Sequence, residues 1–196
     1  WLLGASLVAG GVMVALNSSR WKTKRSVDDA ETSPKLGTEL DREDGVPVYA
    51  NGDAPYKSHG KHFSKDGYYY GRKWQCVEFV KRYYYDHFGH VMPDGWGHAR
   101  SFFDPEVSQG ALNLTRGLLQ YRNGMAEAPI KGDLLVYVYG DYGHVAIVSK
   151  VEKNTVHIVQ QNVSGKVRDT LPLAHHAGNY TVGDGKQPTA WLRCSR

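Results

Sequence analysis

One stretch of helical periodicity, followed by a series of strand-like segments, constrains the fold of this chain more than any other feature. From Gln75 to Phe88, the residues Val77, Val80, Tyr84 and Phe88 recur at helical spacing, with Phe79 and Tyr83 beside them. Glu78, Lys81, Arg82 and Asp86 take the other positions, and Gly89 follows as a C-terminal stop. A second helix is expected over Gly97 to Phe103, ahead of Asp104-Pro105. Beyond residue 130 the texture changes to strands: Leu134 to Val138, Val145 to Val151, Thr155 to Val159 and Thr189 to Leu192. Lys153-Asn154 reads as a tight turn between the second and third of these. Upstream, Gly45 to Tyr49 is a short strand before the turn signal Asn51-Gly52, and residues 53–72 read as an ordered loop. Residues 106–129 stay open between a short helix and a loop. Helices first and antiparallel strands after them predict an α+β domain, with N-terminal helices packed on an antiparallel sheet.

The chain divides into three expected parts. Residues 1–19 carry no charge and form a continuous apolar and small-residue run, close to the ~20 residues that usually span a bilayer. They read as a single N-terminal membrane helix, with a signal peptide and a buried core helix as the rival readings. Residues 20–44 are a basic flank (Arg20, Lys22, Lys24, Arg25) and a polar linker, and residues 45–196 are the folded domain. The expected location is thus membrane-anchored and single-pass, with the folded domain extracytoplasmic. The basic flank alone would favour the cytoplasmic side, so orientation stays open. Gly4, Ala5, Ala9, Gly10, Gly11 and Ala15 would let another membrane protein's helix approach closely, so a membrane-protein partner is a further expectation.

Composition excludes more than it identifies. The net charge of +4 is accounted for by the local basic cluster, which leaves a near-neutral body and argues against nucleic-acid binding. Two cysteines make no disulfide framework, and Cys194 has no assigned role. His59 with His62, and His175 with His176, have spacings a metal could use. No cysteine or carboxylate cluster accompanies them, so they read as loop histidines and neither metal nor cofactor is expected. Tyr68 to Tyr70 and Tyr83 to Tyr85 suit a cleft wall or simple packing equally.

The chemistry concentrates on one cysteine. Cys76 heads the predicted helix, where unpaired N–H groups and the positive dipole end lower a thiol's pKa. His144 opens the apolar run Val145 to Val148, and Gln160-Gln161-Asn162 closes the next run. Cysteine, histidine and polar orienter are the parts of a thiol hydrolase, in which a thiolate attacks and an oriented imidazole moves the proton. Gln75 suits either an oxyanion pocket or a plain helix start. The bland alternative makes Cys76 a buried hydrophobe and His144 a strand-edge residue.

Around these residues the sequence resembles a known family. Lys73-Trp74-Gln75-Cys76-Val77-Glu78-Phe79-Val80-Lys81-Arg82 is similar to the nucleophile segment of CHAP-domain amidases, above all those of glutathionylspermidine and trypanothione enzymes. Gly45 to Tyr49, Gly132 to Tyr137, Gly143 to Val148 and Gln160 to Asn162 continue the resemblance in order, over residues 37–196. It implies a papain-like fold, with Cys76 as nucleophile, His144 as acid/base, and Gln160 or Asn162 orienting the imidazole. The amidases it resembles carry a carboxylate where this chain has Gln160. The implied activity is cleavage of an amide through a Cys76 thioester, on a glutathionylspermidine-type amide or a cell-wall peptide. The alternative is a weak or inactive scaffold serving as accessory subunit of a membrane complex.

Overall fold

Glycine and turn chemistry set up two hairpins before the helix. Strand β1 (Glu39–Glu43) pairs antiparallel with β2 (Val46–Tyr49) across Asp44-Gly45, both with positive φ as a two-residue hairpin turn requires. Strands β3 (Lys61–Phe63) and β4 (Tyr69–Arg72) form the second hairpin. The computed structural model describes residues 33–54, 57–93, 96–163 and 166–195. Ordered pairing therefore reaches back into the segment expected as linker, and the expected loop at 53–72 contains a hairpin.

Helix α1 (Cys76–Phe88) follows the predicted stripe, and Gly89 closes it in the left-handed conformation with its N–H on the carbonyls of Tyr84 and Tyr85. The remaining strands are β5 (Leu112–Asn113), β6 (Leu118–Arg122), β7 (Leu134–Tyr137), β8 (His144–Glu152), β9 (Thr155–Val159), β10 (Arg168–His176), β11 (Asn179–Val182) and β12 (Ala190–Arg193). They make one antiparallel eight-stranded sheet in the order β11-β10-β9-β8-β7-β12-β6-β5. The sheet curls: Tyr180 of β11 bridges Met125, just beyond β6, and Asn123 holds the backbone of Val182.

Two apolar clusters fill the two faces. Phe79, Val80, Tyr83 and Tyr84 of α1 pack with Val46 and Val48 on one face, against Leu134, Val136, Val145, Ile147, Val159 and Leu192. Leu135, Tyr137, Ala146, Val148, Ile158, Leu173, Val182 and Trp191 fill the other, inside the curl. Burial on both faces explains why Leu134–Tyr137 reads as an unbroken apolar run rather than an alternation. Each such side chain contributes about 1.5–3 kcal/mol by leaving water.

The helical expectations are corrected. The chain is mostly sheet with a single α-helix among the described residues, not several helices packed on a sheet. The segment expected as a second helix forms only a 3-10 turn at Ala99–Phe102, because side chains take its carbonyls. Asn113 Nδ2 donates to Phe102 O, and Arg116 donates to Ser101 O, leaving no i→i+4 ladder to propagate. The expected membrane helix, residues 1–19, lies outside the described residues; among those described no helix is long and apolar enough to cross a membrane. Residues 106–129 hold β5 and β6, and His175 and His176 lie on β10 rather than in a loop, His175 stacked on Tyr180.

Candidate active site

Chain direction delivers the cysteine. Cys76 is the first residue of α1, and Gln75 is its N-cap in extended conformation. The thiol is half-buried against the core, and the nearby backbone N–H groups of Val145, Val77 and Cys76 favour its thiolate. Val145 directly follows His144, so the helix start and the head of β8 meet at this sulfur. Burial pushes the thiol up to about 11, while the three N–H donors pull it down. The lowering expected from a helix start is therefore reversed: desolvation outweighs the dipole and its donors.

The turn before β8 places the histidine. Gly143 has φ +70°, and a Cβ there would collide with the Tyr137 carbonyl and the Arg100 backbone, so only glycine lets this loop press so close. Arg100 N donates to Tyr142 O, tying the loop to the 3-10 turn. His144 is half-buried, and burial holds its imidazole below the ordinary 6.5, with the Gln160 bond acting the other way. Its Nε2 lies 2.8 Å from Gln160 Oε1. Gln160 Nε2 in turn donates to Lys166 O at 3.0 Å, which fixes the amide with its oxygen toward the histidine. The imidazole must then carry its proton on Nε2, leaving Nδ1 as the acceptor. Tyr139, 46% exposed on the same loop, is raised by burial and by the neighbouring Cys76.

Asn162 and Gln75 meet elsewhere. Asn162, at φ 66°, donates to Gln75 Oε1 at 2.8 Å and accepts from Asn51 Nδ2 at 2.8 Å. Gln75 Nε2 donates to Lys57 O. Asn51 Oδ1 also accepts from the backbone N–H of Trp74, so one asparagine braces the approach to the nucleophile from below. It was legible only as a turn residue.

A buried polar network under the helix start was also missed. Glu78 is fully buried and accepts from Arg82 Nε at 2.6 Å and Gln161 Nε2 at 2.7 Å, with His62 Nδ1 2.8 Å away. Gln161 is 1% exposed; its Nε2 also donates to Gln75 O at 3.0 Å, and its Oε1 accepts from Tyr49 N at 2.7 Å. His62 is thus committed to Glu78, and His59 Nε2 lies 3.2 Å from Asn51 O. No group of three metal-ligating side chains occurs among the described residues. The tyrosines pack: Tyr84 donates to Gly132 O and Leu192 O, and Tyr70 to Asp86.

Known proteins are similar to this chain in sequence. Residues 66–162 match the family of the CHAP domain. The bifunctional glutathionylspermidine synthetase/amidase of Escherichia coli (strain K12) is 39% identical over 103 residues, 50% of this chain and 16% of that protein. The enzyme of the same name from Shigella flexneri matches equally. Trypanothione synthetase of Crithidia fasciculata is 28% identical over 151 residues, 73% of this chain and 23% of that protein. The chain therefore spans 16% to 23% of the length of these curated relatives. The stretch that matches the CHAP domain, residues 66–162, takes in Cys76, His144, Gln160 and the buried pair Glu78 and Gln161.

Proposed function

We propose that this domain is a thiol amidohydrolase acting on a glutathionylspermidine-type peptide amide. The observation that carries the reading is the meeting of the Cys76 thiol with the backbone of Val145, next to an imidazole whose Nε2 is occupied by Gln160. The name of the Escherichia coli relative, a synthetase/amidase of glutathionylspermidine, supports the substrate class.

In this reading both partners rest neutral, since burial raises the thiol and lowers the imidazole. Substrate binding brings the amide carbonyl to Sγ. The sulfur forms its bond to carbon as its proton passes to His144 Nδ1, and the carbonyl electrons move onto oxygen. N–H groups of the first turn of α1 face the developing oxyanion. Collapse breaks the C–N bond, and His144 Nδ1–H protonates the departing amine. Water, deprotonated by the same nitrogen, then opens the thioester, releasing the acid and restoring the thiol. Gln160 holds the ring throughout by a neutral bond, which orients an imidazolium without countering its charge.

The experiment is hydrolysis of glutathionylspermidine by the folded chain, followed by release of free amine. The expected result is turnover that C76A and H144A each abolish. A folded wild-type protein without turnover, or a C76A variant with full turnover, overturns the reading.

A further inference from the structure

The catalytic parts come from two separate elements, α1 and the strands β8 and β9, and something must fix their spacing. Gln161, directly after Gln160, reaches back across that gap. Its one amide nitrogen donates both to Gln75 O, at the helix start, and to Glu78 Oε2, one turn into the helix. Its oxygen is taken by Tyr49 N of β2. Glu78 is in turn fixed by Arg82 and His62, so neither end of the link is free to swing. Gln161 and Glu78 are 1% and 0% exposed, so water does not compete for these bonds.

Resting on the amidohydrolase reading above, we propose that Gln161 and Glu78 are positioning residues: a buried amide–carboxylate clamp that holds the Gln160 end of β9 on the Cys76 end of α1. The clamp touches neither substrate nor thiol. It acts through its sequence neighbour, Gln160, on the ring of His144, and through the Gln75 carbonyl on the first turn of α1. The pairing is directional. A glutamine fits because Glu78 and the Gln75 carbonyl are both acceptors and need a donor between them. A glutamate in its place would set a carboxylate against both.

The test is Gln161→Met, which keeps the volume and removes the amide, compared with Gln161→Glu and wild type on the same substrate. For Gln161→Met the expected result is kcat lower by about tenfold to a hundredfold with KM within about threefold, since misplacement by an ångström costs that much while binding is spared. The acid limb of the kcat/KM profile should also move up toward the ordinary histidine value as the imidazole loosens into water. Gln161→Glu should lose more than Gln161→Met. If Gln161→Met does not fold, Gln161→Asn serves: its amide is one methylene short of both acceptors, and the same kcat loss and limb shift are expected. A folded Gln161→Met or Gln161→Asn with unchanged kcat and an unmoved acid limb overturns the clamp. That outcome leaves the amidohydrolase reading standing if C76A is still dead, whereas an active C76A sinks the reading itself.

Discussion

His144 Nε2 donates to Gln160 Oε1 across 2.8 Å, and this one neutral bond decides which face of the imidazole is left to work. Removing it should separate orientation from charge. Gln160→Ala is expected to lower kcat by about a hundredfold, within the range general acid–base groups supply. Gln160→Glu should instead move the acid limb of the pH–rate profile upward, because a carboxylate stabilises the imidazolium. Steady-state kinetics across pH measure both, and a Gln160→Ala enzyme at wild-type rate would remove Gln160 from the mechanism.

Cys76 should label slowly at neutral pH despite its place at a helix start. With the thiol pushed up to about 11, the thiolate fraction and hence the rate of iodoacetamide alkylation should climb about tenfold per pH unit toward that value. Mass spectrometry of the alkylated peptide gives the profile. A plateau below neutrality would show a preformed ion pair instead. For turnover the same two groups set the window: His144 must be unprotonated, and its lowered value extends activity below pH 6.5.

Gly143→Ala should damage both stability and turnover. The added Cβ meets the Tyr137 carbonyl and the Arg100 backbone at a positive φ, so the loop must shift and take His144 with it. A loss of about 1–3 kcal/mol is expected from the strain, read as a lower urea midpoint, together with reduced kcat.

Arg193→Met should be among the more destabilising single changes away from the site. Arg193 donates to both carboxylate oxygens of Asp133, at 2.9 and 2.8 Å, and Asp133 is 1% exposed. Losing the cation strands a buried carboxylate, at a cost of about 3–5 kcal/mol. Arg193→Met paired with Asp133→Asn should recover part of that, measured by denaturant unfolding.

Acid should unfold the domain late. Burial alone would raise Glu78, yet His62, Arg82 and Gln161 together hold it below 4.5; the Arg168 bond likewise holds Asp41 below 3.8. Depressed carboxylates contribute stability that is fully present above those ordinary values and is lost as pH falls through the lower folded ones. The urea midpoint should therefore stay level down to about pH 5 and drop steeply only below about pH 4. A drop beginning near neutrality would contradict the shift.

What sequence alone revealed followed the range of its signals. Helix α1 and strands β7, β8 and β9 announce themselves through local periodicity, and the CHAP motifs marked Cys76 and His144. Strands β10 and β11 did not: Arg168–His176 buries only Leu173 and carries one proline, and its pairing is set by the curl of the sheet. The 3-10 turn was misread because Asn113 and Arg116, more than ten residues away, capture its carbonyls. The thiol's pKa was misjudged for a related reason. The dipole is a local property of the helix, whereas burial depends on β8 arriving over the sulfur.

The place of β12 between β6 and β7 has a temporal consequence. Ala190–Arg193 is the last of the described strands in sequence order, yet it sits inside the sheet, and Tyr84 of the cysteine-bearing helix is anchored on Leu192 O. Without those residues β6 and β7 have no strand to join them, and Tyr84 loses its Leu192 partner. Closure of the sheet therefore waits on the non-local pairing of Ala190–Arg193 with both β6 and β7, a slow kind of step in folding.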